Sequence, residues 1–161
     1  MDRPVTAAGD RGRGSVSVEV AVLAPAFIAL IVLAGVTGRT AVADEAVESA
    51  AHDAARAASI SRDAGTAHTA ARDAVRRQLD WRGLNCSAAP RIALRGTVRG
   101  GPSSFDAAYR SPAGEPASVT VSVTCVVSHA DLALPVLPGM PLRTTVSASF
   151  TSPLDRYRSR G

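Results

Sequence analysis

Three patterns of hydrophobic and polar positions follow one another along the chain. From Val16 to Gly38 almost every position is apolar or small, and the single charge is Glu19. No polar face interrupts this run, as expected of a helix surrounded by lipid. Its 23 residues rise about 35 Å as a helix, enough for a hydrocarbon core of about 30 Å. Pro25 removes one backbone donor, which a membrane helix tolerates near its start with a mild bend.

From residue 40 to 63 the period becomes 3.6. Val42, Ala46, Val47, Ala50, Ala54, Ala57 and Ala58 recur on one face, with Asp44, Glu48, His52, Asp53 and Arg56 on the other, which predicts a continuing helix. The stripe is mostly alanine, so it buries little area and permits close approach of a neighbour. Gly65 is expected to interrupt it. A second helix is predicted over Thr66–Leu79, ending near Gly83.

The last third alternates with period two. Ile92, Leu94 and Val98 share one side of "RIALRGTV". Val119, Val121, Val123, Cys125 and Val127 share one side of the longest such run, opposite Thr120, Ser122 and Thr124. Val146, Ala148 and Phe150 do so in a third. One apolar and one polar face indicate a half-buried antiparallel sheet, lying against the alanine-rich helix. "RGGPSSFDAAYRSPAGEP" between two of the strands reads as a loop, and "ALPVLPGMPL" is too rich in proline for either element. The fold class is therefore α+β: one N-terminal transmembrane helix extended by an alanine-rich helix, then a small antiparallel sheet. The expected divisions are 1–14 as a cytoplasmic leader, 15–38 as the span, 39–82 as a helical region, 83–152 as the sheet domain and 153–161 as a disordered tail.

Composition changes this picture little. The formal charge of +4 comes from 18 basic residues, all arginine, against 14 acidic ones. The arginines are scattered among acids and aromatics make up only 4%, so neither a basic stripe nor a stacking platform for nucleic acid is visible. Cys86 and Cys125 both follow the span. Such a pair reads as a disulfide if that side is oxidising, and as two buried thiols otherwise.

No catalytic constellation is legible. His52 and His68 stand 16 residues apart with no second ligand one helical turn away, so no metal site is expected. There is no phosphate-binding glycine loop, nucleophile elbow or cysteine–histidine pattern. The three histidines are read as solvated surface residues. The chain is expected to be no enzyme and to need no cofactor.

The N-terminal stretch "RGSVSVEVAVLAPAFIALIVLAGVTGR" carries the most information. Glu19 is the fifth residue after Gly14, with Arg11 and Arg13 before it and the apolar helix after it. That arrangement resembles the cleaved signal of type IV pilins and pseudopilins, and more specifically the TadE-like pseudopilins of tight-adherence (Tad/Flp) pilus systems. "AHDAARAAS", Ala51–Ser59, resembles the small-residue stretch following the span in that family, while Val20 stands where the family usually has phenylalanine or tyrosine. The resemblance implies cleavage between Gly14 and Ser15 by a prepilin peptidase, and assembly with other pilins or pseudopilins on a pilus platform. The ammonium exposed on Ser15 would then pair with Glu19 of a neighbouring subunit.

Arginines precede the span, whereas Asp44, Glu45 and Glu48 follow it. The positive-inside rule then keeps the N-terminus cytoplasmic and places the C-terminal domain outside the cell membrane. Two other readings of the same segment stand. Ala41 and Ala43 could direct cleavage after Ala43, releasing a secreted binding domain, or the helix could be an unprocessed anchor of other function.

Overall fold

The computed structural model describes residues 13–132 and 142–157. Most of the expected leader, the proline-rich stretch 133–141 and the last four residues lie outside that range.

The first helix, α1, is one element of 47 residues, Arg13–Ser59, with Pro25 inside it, about 70 Å long. Its two halves differ in what they touch. From Val20 to Val42 most of its large side chains are exposed: Val22, Phe27 and Ile31 are 70%, 61% and 71% exposed. From Ala43 on, Ala46, Val47, Ala50, Ala54 and Ala58 are buried in the core. A buried methyl contributes only about 0.8 kcal/mol, so the strength of this stripe lies in how closely it lets the other elements approach.

The first helix ends at Ser59, short of the expected 63, and the chain turns before Asp63 rather than at Gly65. Asp63 takes up an extended backbone, φ −132° and ψ 159°, and caps the second helix, α2, Ala64–Trp81. Its carboxylate accepts the Thr66 backbone N–H at 2.8 Å and the Thr66 hydroxyl at 2.7 Å, satisfying donors that a helix start leaves unpaired. Gly65 sits within the first turn. The other end closes as anticipated at Gly83: this residue has φ +63°, the Leu84 N–H donates to the Leu79 carbonyl, and the Gly83 N–H donates to Asp80. Glycine reaches that left-handed conformation without strain.

The strands match the three alternating runs. They are β1, Arg91–Val98, then β3, Ala117–Ser128, and β4, Arg143–Pro153. The segment expected to be a plain loop contains two further elements, β2, Gly101–Ser103, and α3, Phe105–Tyr109. Arg99 and Gly100 both have positive φ, 52° and 78°. Two such residues form the tight turn whose twist suits a hairpin, joining β1 to β2. Ser104 then caps α3 by accepting the Ala107 N–H, and α3 folds Phe105, Ala108 and Tyr109 into the core. The sheet is antiparallel throughout, in the order β2-β1-β3-β4.

One face of the sheet meets the helices. Val119, Val121, Val123, Cys125, Val127 and Val146 are buried there against the upper half of α1. Helix α3 covers β1 so closely that a Cβ on Gly96 would stand 2.4 Å from the Ser104 carbonyl oxygen. Tyr109 donates its hydroxyl to the Ala58 carbonyl at 2.5 Å, satisfying an acceptor at the end of α1. Cys86 and Cys125 are disulfide-bonded, which ties the segment after α2 to the central strand. The loop-entropy estimate for closing about 40 residues is roughly 4 kcal/mol. At the C-terminal end of β4 the chain stays packed past residue 153: Leu154 is buried and its N–H donates to Ala117.

The sheet is also clamped to the foot of the helical region. Arg39 donates twice to Asp131, at 2.6 and 2.9 Å. Asp131 lies in a short 3-10 turn, Ala130–Leu132, that follows β3. A second pair, Arg82 to Glu45 at 3.1 Å, joins the end of α2 to α1.

Gly96→Ala is expected to destabilise the fold by about 1–3 kcal/mol, the usual range for overpacking, read as a lower denaturation midpoint of the detergent-solubilised chain. A pH effect follows from two acids. Hydrogen bonds from Thr66, the backbone one foremost, hold the Asp63 carboxyl below its ordinary range, and the Arg39 guanidinium does the same for Asp131. A depressed carboxyl contributes fully above its ordinary pKa of about 3.9, and that contribution disappears as pH falls through the lower folded value. Stability should therefore decline below about pH 4, and the Asp63→Asn, Asp131→Asn double variant should show a flatter decline in acid denaturation.

Candidate assembly site on the first helix

The candidate site is built on the lower half of α1. Around Glu19 the helix presents apolar side chains in every direction, with Val20, Leu23, Ile28, Leu30 and Leu33 between 47% and 62% exposed. Among the described residues this is the one helix long and apolar enough to cross a membrane. Its hydroxyls are accommodated locally: Thr37 donates to the Leu33 carbonyl and Thr40 to the Val36 carbonyl, each at 2.9 Å. Such backbone bonds let polar side chains sit in an apolar setting.

Glu19 is exposed, and α1 continues through it. Gly14 and Ser15 lie on the same helical backbone, in its first turns. Ser15 is four residues before Glu19, about 6 Å lower along the axis and on the same face. The structure thus brings the three expected site residues to one end of one helix.

The remaining sequence-predicted residues are placed apart from it. Cys86 and Cys125 form the disulfide within the sheet domain. The histidines correct the expectation of three solvated side chains. His129 is fully buried, its Nε2 3.1 Å from the Thr144 hydroxyl. It continues the inward parity of Val119 to Val127 one step past the strand, a signal that was available in the alternation. His52 is half-exposed and packs edge-on against Phe150, with ring centroids 4.4 Å apart, and His68 packs against Phe105 at the same distance with the rings tilted. Among the described residues no group of three or more His, Cys, Asp or Glu could hold a metal ion.

Sequence reasoning missed the clamp at the exit from the span. Arg39 is the first charge after the apolar run, and its partner Asp131 is 92 residues away. Arg39 also reaches the Ser128 carbonyl at 3.4 Å, so two hydrogen-bond acceptors on the β3 side fix the guanidinium. A span ending in a free arginine would let the domain swivel, whereas this one holds it.

The family model described as TadE-like protein matches residues 14–56. No curated protein and no solved structure matches the chain. The matched segment begins at Gly14, includes Glu19 and the whole apolar run, and ends three residues before α1 does. The helix that carries Gly14, Ser15 and Glu19 is thus similar to the family that the N-terminal motif resembles.

Proposed function

We propose that this protein is a membrane-anchored pseudopilin, an accessory subunit in the assembly of a Tad/Flp-type pilus or a related secretion machine. The observation that carries the reading is Glu19: the lone carboxylate on the exposed, apolar lower half of α1, inside the segment that the TadE-like model matches. A charged acid at the centre of a membrane helix costs about 2.5–3.5 kcal/mol on insertion scales, and less near an end, where it reaches interfacial water. Packing such helices side by side removes that water, so the acid then needs a partner.

Cleavage between Gly14 and Ser15 by a prepilin peptidase supplies one, a free ammonium at the same end of a neighbouring helix. Amine and acid lie within one turn of each other, so parallel neighbours can pair only over a narrow range of relative heights. Loss of water from both ions offsets much of their attraction, and the pair acts chiefly by setting register. The N-terminus is cytoplasmic and the sheet domain extracytoplasmic, which agrees with an oxidised Cys86–Cys125 pair. The partners are the peptidase, other pilins or pseudopilins and the assembly platform. The chain acts as a subunit, with no enzymatic step of its own.

Release of a secreted domain after Ala43 is less well supported. Ala43 is fully buried in the middle of α1, and that cut would separate Arg39 from Asp131.

The N-terminal residue of the purified membrane form tests the processing step. Ser15 is expected, while Asp44 would establish the secreted form and Met1 or Asp2 an unprocessed anchor. Glu19→Ala should leave insertion and cleavage intact and abolish co-isolation with partner subunits, and undiminished co-isolation would remove Glu19 from the mechanism.

A further inference from the structure

The helices cover one face of the sheet, and among the described residues no helix packs on the other. That open face is built from the alternate positions of β1, β3 and β4. Its floor is hydroxyl: Thr120 and Thr151 are hydrogen-bonded across strands at 2.8 Å, and Ser122 and Ser149 at 2.7 Å. Three arginines rise from it, Arg91 and Arg95 on β1 and Arg143 on β4, all exposed and none in an ion pair among the described residues. The three strands contain no aspartate or glutamate. The face is therefore cationic, hydrated and free of internal neutralisation.

The spacing of the arginines selects the kind of anion. Arg91 and Arg95 stand about 13 Å apart along β1. Arg91 pairs with Thr124, which pairs with Ser147. Arg143 is four residues from Ser147, so it lies about 10 Å across the sheet from Arg91 and a further 13 Å along. One small anion could engage two of these guanidinia only by drawing both side chains fully toward it, whereas a polymer with repeated anionic groups meets all three along a diagonal. The chemistry of the floor points the same way, since serine and threonine hydroxyls donate to and accept from sugar hydroxyls.

We propose that this open face binds an acidic polysaccharide. Single-stranded nucleic acid is disfavoured because the face offers no ring for base stacking; Phe150 points to the helix side, against His52. A protein partner is disfavoured because Ala93, Pro102, Val126 and Pro153 are the only apolar side chains among the described strand positions of this face, too little for the buried core of an interface. Binding rests on several separate charged contacts, each strengthened by the planar, bidentate geometry of arginine. It should therefore grow with polymer length and weaken with salt. The inference requires only that the sheet be exposed and does not depend on the assembly reading.

The test uses the full chain in zwitterionic nanodiscs, passed over immobilised polygalacturonate, neutral dextran and duplex DNA. Retention on polygalacturonate and not on dextran is expected. The variant Arg91→Gln, Arg95→Gln, Arg143→Gln should lose roughly tenfold or more of that affinity. The variant Arg72→Gln, Arg76→Gln, Arg77→Gln, which removes the same charge from α2, should bind like the parent. Equal losses in the two variants would reduce the effect to general basicity and overturn the proposal, as would equal retention on dextran. Tighter retention on DNA through the three sheet arginines would assign the face to nucleic acid instead.

Discussion

An uninterrupted first helix is the constraint on which the rest of the structure depends. Apart from Glu19 and Thr37, the described side chains of its lower half are apolar or small and find little protein around them, while its upper half offers alanine methyls and finds β3, β4 and α2. Both halves share one backbone, so the domain cannot change its height or its rotation about the axis without breaking helical hydrogen bonds. The Arg39–Asp131 clamp acts at the point where a hinge would otherwise do most harm. These are exposed charges, and their attraction is screened by solvent. The bidentate geometry matters here more than the energy, because it fixes which edge of the sheet faces the foot of α1.

The small domain also solves a problem of size. A stripe of alanines buries little area, and a four-stranded sheet with one wet face has half a core. The deficit is met by the disulfide from Cys86 to the central strand, by α3 pressed onto the bare backbone of Gly96, and by Tyr109 hydrogen-bonded to the end of α1. The disulfide and the Tyr109 bond join parts of the chain 39 and 51 residues apart, which suits a domain whose local elements could not bury enough surface alone.

Much of this was legible from periodicity, and the misses have local causes. The three long strands were visible because alternation with one polar face is hard to imitate. Gly65, the weaker helix former, suggests the break between α1 and α2, whereas α1 already ends at Ser59 and Asp63 fixes the start of α2 by accepting two hydrogen bonds from Thr66. The β1–β2 turn was hidden because Arg99, where asparagine or aspartate would be usual, occupies a left-handed position beside Gly100. His129 was misread by residue type alone, although its place in the alternation pointed inward. Asp131 could not have been matched to Arg39 from sequence at all. Their proximity is a result of the whole fold and has no local signature. At the N-terminus the opposite holds: Glu19 is conspicuous in sequence because nothing near it is charged, and the structure adds only that no side of the helix shelters it.

The same rigidity links the two ends of the protein. Glu19 and Arg39 are 20 residues apart on one helix, about 30 Å along its axis. A contact that set the height of Glu19 against a neighbour would therefore set the height of the sheet as well, since α1 runs unbroken between them. The helix packs on the inner face of the sheet, so in any bundle centred on the spans the hydroxyl and arginine face is turned away from α1. In the proposed assembly a weak polar contact within the membrane would thereby acquire a long lever: it would space the outward faces of successive subunits, which a pair of flexible domains on a loose tether could not do however strong the contact between them.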